Sequence, residues 1–141
     1  MDSILLVEAD ATISDEWAAE IAASGHSVLT ASGTREALHL IREGGIDVVV
    51  IDIYDSRAGV MELARGMEAL PDAPPILLIS GSPAAPEISV RIGAAMFLPK
   101  PCEPSEVVTA IGLLLGRLRP VWLIEEEPTV LRFSKASPAL D

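Results

Sequence analysis

Four short runs of apolar residues stand out along the chain, and between them the apolar positions recur at helical spacing. The runs are 4–7 (Ile-Leu-Leu-Val), 48–51 (Val-Val-Val-Ile), 76–79 (Ile-Leu-Leu-Ile) and 95–98 (Ala-Met-Phe-Leu). A run with no polar break predicts a strand buried on both faces, which is what a parallel sheet needs. A fifth segment, 26–30 (His-Ser-Val-Leu-Thr), is strand-like but more polar, which predicts a place nearer the edge.

Helices fill the intervals. Ile13, Trp17, Ala18 and Ile21 share one face, with Thr12 and Asp15 reading as a capping box and Gly25 as the stop. Ser32 reads as the cap of a second helix, in which Ala37, Leu38 and Ile41 face inward before Gly44-Gly45 ends it. Residues 54–59 read as a loop, and Val60, Leu63, Ala64 and Met67 mark a third helix that Pro71, Pro74 and Pro75 break. Pro86 opens a fourth, with Ile88 and Ile92 inward and Gly93 as its stop. Pro104 fits the first turn of a fifth, whose buried stripe is Val107, Val108, Ile111, Leu114, Leu115 and Leu118. Strand and helix thus alternate five times, which implies a doubly wound parallel sheet with helices on both faces. Right-handed crossovers leave the flavodoxin-like strand order 2-1-3-4-5, whose switch point lies between the first and third strands.

This predicts one domain over residues 1–119 and an extension over 120–141. In the extension, residues 121–133 carry Val121, Trp122, Leu123, Ile124, Val130, Leu131 and Phe133. So apolar a segment is expected to pack, as a hairpin turning at 125–128 or as a strand on a sheet edge, with disorder beyond it.

Composition narrows the function. Half of the 141 residues are apolar but only 4% are aromatic, so the core must be aliphatic. A net charge of −11 repels a phosphate backbone, and no basic patch offsets it, so direct nucleic-acid binding is not expected. The single cysteine, Cys102, excludes an internal disulfide and a multi-cysteine zinc site, which suits a reducing compartment. Met1-Asp2-Ser3 lacks the basic start of a signal peptide, and no apolar run approaches the roughly 20 residues that span a bilayer. A cytoplasmic protein is expected.

The chemistry gathers at the strand ends. Glu8 and Asp10 follow the first strand, Asp52 ends the third, Ser80 ends the fourth, and Lys100 follows the fifth. In open α/β sheets the ligand sits beyond these carboxyl ends. Carboxylates such as Glu8, Asp10 and Asp52 suit a hard divalent ion such as Mg²⁺. A carboxylate can also act as a nucleophile and form an acyl phosphate, while a hydroxyl and an ammonium bind the phosphoryl oxygens. No glycine-rich phosphate loop follows the first strand, so a nucleotide-dependent enzyme has little support.

These residues in this order resemble the receiver domain of two-component response regulators, over roughly residues 3–118. Ile4-Leu5-Leu6-Val7-Glu8, Asp52, Ser80-Gly81 and Lys100-Pro101 carry the resemblance. It implies that Asp52 is the phosphoacceptor, that Ser80 and Lys100 bind the phosphoryl group, and that Ser80 and Phe97 form the switch. It also implies Mg²⁺ as cofactor and a cis Lys100–Pro101 bond. A histidine kinase or phosphotransfer protein would be the donor. A stand-alone receiver, not itself an enzyme, would then signal by contact with an unidentified downstream protein.

The departures from the family pattern matter. Ala9 stands where the family usually has a second acid that contacts the metal, and Asp10 is displaced by one position. Mg²⁺ binding is therefore expected to be weak. The loop over 55–59 and Gly93-Ala94-Ala95-Met96 also differ from the usual family sequences, the latter weakening the charged dimer face some receivers use. The sequence leaves self-association into a homodimer open. Tyr54 and Ser82 occupy positions that control how water reaches the acyl phosphate in the family. The alternative reading is a pseudo-receiver, a phosphorylation-independent interaction scaffold, with Ala9 as its main support.

Overall fold

The computed structural model describes residues 1–52 and 57–116. The chain alternates β1 (Ser3–Val7), α1 (Ala11–Ala23), β2 (Ser27–Ala31), α2 (Thr34–Glu43), β3 (Val48–Asp52), α3 (Arg57–Glu68), β4 (Ile76–Ser80), α4 (Ala85–Ile92), β5 (Met96–Pro99) and α5 (Pro104–Leu114). The strands form one parallel sheet in the order β2-β1-β3-β4-β5, as the alternation predicts.

Side chains alternate across this sheet and build two aliphatic layers. Leu5, Val7, Val49, Ile51, Ile76 and Leu78 pack under α2, α3 and α4. Ile4, Leu6, Val48, Val50, Leu77 and Ile79 pack under α1 and α5, where Trp17 is the large filler. Every residue of β3 and β4 is buried, whereas in β2 only Ala31 is. The polar character of the second strand thus marks the edge position. The inward stripe of α3 is Val60, Leu63, Ala64 and Met67, all buried. In α5, Val107 and Ile111 are buried, and Val108, Leu114 and Leu115 lie half-buried against the same cluster.

Helix starts differ from expectation at three places. The cap of α1 is Asp10, not Thr12: its Oδ1 accepts from the backbone N–H groups of Thr12 (2.9 Å) and Ile13 (3.0 Å). Aspartate caps as well as threonine, and this choice satisfies two otherwise orphaned donors two residues earlier. Ser32 does not cap α2, which begins after Gly33 without a side-chain cap. Instead Glu36 reaches back and accepts from the Ser32 N–H at 3.0 Å. Residues 57–59 are helical rather than loop, because α3 begins at Arg57, and arginine and alanine favour helix. The predicted stops hold: Gly25, Gly44, Gly45 and Gly93 all adopt positive φ.

No helix among the described residues is long and apolar enough to cross a membrane. The expectations for Tyr54, Leu118 and the 120–141 extension lie outside the described residues.

Candidate functional site

Asp52 is the last residue of the central strand, between β1 and β4, at the switch point of the sheet. It is only 5% exposed. Lys100 follows β5 directly. Its N–H donates to the Ser80 carbonyl at 3.1 Å, which extends the β4–β5 ladder by one step. The Lys100–Pro101 bond is cis, and Lys100 Nζ lies 2.5 Å from Asp52 Oδ1. Gly81 makes room for this approach, since a Cβ there would stand 3.3 Å from Lys100 Cβ. A buried carboxylate is costly unless paired, and this ammonium is its ion-pair partner.

Glu8, one step past β1, is also buried, at 3% exposure. Its Oε2 accepts from the Asp10 N–H at 2.9 Å. Burial pushes its pKa up to about 7, aided by a hydrogen bond to Asp52 and by the Asp52 charge, against the Asp10 N–H and the Lys100 charge. As carboxylates, Glu8 Oε1 and Asp52 Oδ2 would be buried with no hydrogen-bond partner. A proton on Glu8 supplies one and lets the two acids share a site that does not favour two negative charges. Nothing in the sequence signalled this protonation, because it depends on the two strands lying side by side.

The structure brings together Glu8, Asp52 and Lys100, with Ser80 at the next strand end, but it does not turn Asp10 into the cluster. Asp10 is exposed and its Oδ1 is engaged by α1. Among the described residues no three His, Cys, Asp or Glu side chains form a metal-binding group. Ser80 is buried, and its hydroxyl oxygen accepts from the Ser82 N–H at 3.1 Å, leaving its proton available to an incoming oxygen. The Ser82 hydroxyl in turn accepts from the Ala84 N–H at 3.1 Å and so shapes the approach to α4. Phe97 is half-buried and packs against the layer beneath α2, α3 and α4. Cys102 is half-buried close by, and burial, with the charges of Glu106 and Asp52, raises its thiol pKa.

The family model for the response regulator receiver domain matches residues 4–112. Response regulator MprA of Mycobacterium leprae is 29% identical over 119 residues, which is 83% of this chain and 52% of the relative. MprA of Mycobacterium avium gives the same identity and coverage. The chain thus spans about half the length of these curated relatives. Among solved structures, a response regulator receiver domain protein from Clostridium thermocellum superposes with a TM-score of 0.73 at 24% identity, covering 83% of this chain and 96% of the other. The chemotaxis protein CheY4 of Vibrio cholerae gives 0.68 at 23% identity, covering 81% and 98%. At these identities the two structures speak for the fold, and the sequence match speaks for the family. The chain belongs to the response regulator receiver domain family.

Proposed function

We propose that Asp52 accepts a phosphoryl group from the phosphohistidine of a histidine kinase or phosphotransfer protein. The observation that carries this reading is the buried Asp52–Lys100 ion pair at the switch point of the sheet. In the transfer, a carboxylate oxygen of Asp52 attacks phosphorus in line. The P–N bond to the donor imidazole breaks, and an acyl phosphate forms. Lys100 is already beside the nucleophile and needs only a small shift to offset charge on the phosphoryl oxygens. The Ser80 hydroxyl donates its free proton to one of them.

Mg²⁺ fits this site only in part. Glu8 and Asp52 each offer a buried carboxylate oxygen without a hydrogen-bond partner, the donor type a hard cation takes. Ala9 offers only a methyl group, and Asp10 is engaged by α1. Glu8 and Asp52 would hold the ion, and Glu8 must give up its proton to do so. When bound, Mg²⁺ neutralises charge on the phosphoryl group.

The product acyl phosphate draws on Ser80 at the end of β4, and Phe97 on the neighbouring β5 packs in the layer beneath α4. Signalling then proceeds through altered contacts of this face with a downstream protein. The function proposed is signal relay, not turnover of a small substrate.

The scaffold reading rests on Ala9 and on the engagement of Asp10, and the two readings separate on one assay. Incubation with acetyl phosphate, with and without Mg²⁺, is expected to add one phosphoryl group by intact mass, faster with the metal. Ser80→Ala and Lys100→Ala should lower that yield. No mass gain under any condition would contradict phosphoacceptance and leave the scaffold.

A further inference from the structure

Beside the last strand of the described sheet lies an apolar groove that none of the chemistry above uses. Its floor is Met96 and Leu98 of β5 with Ala110 and Leu113 of α5, and Thr109 stands on its rim. It encloses about 320 Å³. Met96 and Leu98 are only half-buried, so among the described residues the α1–α5 layer is incomplete at this edge.

The sequence supplies an apolar segment within reach. After α5, Gly116 adopts φ +74° and its N–H donates to the Leu113 carbonyl, which ends the helix in a left-handed turn beside the groove. Residues 117–120 come next, and then Val121-Trp122-Leu123-Ile124. The groove follows α5 from Ser105 to Leu113, roughly 12 Å at a rise of 1.5 Å per residue. Four extended residues cover about 13 Å. Four extended residues thus match the length of the groove. The three glutamates that follow, Glu125 to Glu127, favour solvent over a surface that is already acidic.

A sixth parallel strand on β5 is disfavoured by handedness. α1 and α5 lie on the same face of the sheet. The β1–α1–β2 connection crosses that face and steps toward β2, the direction that a right-handed crossover takes there. A β5–α5–strand connection stepping outward over the same face would have the opposite hand, which parallel crossovers avoid. Side-chain insertion into the groove is the arrangement left for a segment returning along α5.

We propose that residues 121–124 of this chain seat in the β5–α5 groove of their own domain, with Trp122 as the anchor. Emission of Trp122, taken as the difference between the intact chain and its Trp122→Phe variant, tests this. It is expected to be blue-shifted and several-fold less quenched by acrylamide than a free indole, at all protein concentrations. Thr109→Glu and Ser105→Glu, both at exposed rim positions, should each shift it to the red and restore quenching. A solvent-like emission in the intact chain would overturn the proposal. Shielding that survives both rim substitutions would do the same. Shielding that is lost on dilution would place the segment on a second copy instead and overturn the seating within one chain.

Discussion

Glu8 carries the most specific chemistry at the scale of single residues. Its folded pKa of about 7 lies above the ordinary 4.5, so the folded chain holds a proton that the unfolded chain releases. Stability from this group is therefore full below about pH 4.5 and is lost as pH rises through about 7. Glu8→Gln keeps the shape and removes the titration. Denaturation of both proteins from pH 4 to pH 8 should show the parent losing stability relative to the variant, and parallel curves would exclude the raised pKa. Ala9→Asp makes the second residue-scale prediction. One added anionic ligand should tighten Mg²⁺ binding in a titration, and equal affinities would show that Asp10 already serves as a ligand. The positions of Asp52, Ser80 and Lys100 at the strand ends were legible in the sequence because each stands within two residues of the end of an apolar run. The Glu8 proton was not, since burial and a neighbour on another strand create it.

At the scale of elements, the strands and helix faces were readable and the helix starts were not. An apolar run needs no partner to be recognised, whereas several side chains compete to cap one helix. Thr12 and Asp10 both qualify, and only the backbone direction after β1 selects Asp10. The same competition hid the reciprocal box of Glu103 and Glu106 at the start of α5, where the sequence pointed only to Pro104. Asp10→Ala should cost about 1 kcal/mol in denaturant unfolding, the usual loss for an N-cap. If Asp10 is only a cap, phosphoryl labelling of the folded variant should match the parent. A specific loss of labelling would give Asp10 a role in the site.

Among the described residues the molecule is built on two thin aliphatic layers on one sheet, with Trp17 as the one large aromatic buried in them. Such a core depends on close packing of many small groups, and the central strands carry most of it. Leu78, fully buried in β4, should cost about 2–5 kcal/mol when cut to alanine, by thermal or denaturant unfolding. The strand order was legible because handedness and the alternation of elements leave few topologies, and that order alone brings Glu8, Asp52, Ser80 and Lys100 to one edge. The proposal that this edge makes Asp52 a phosphoacceptor can be checked at the level of the intact chain. The most direct test is intact mass after incubation with acetyl phosphate and Mg²⁺, for the parent and for Asp52→Asn, both checked for folding. One phosphoryl group is expected on the parent and none on the variant. Equal labelling of the two would contradict the proposal.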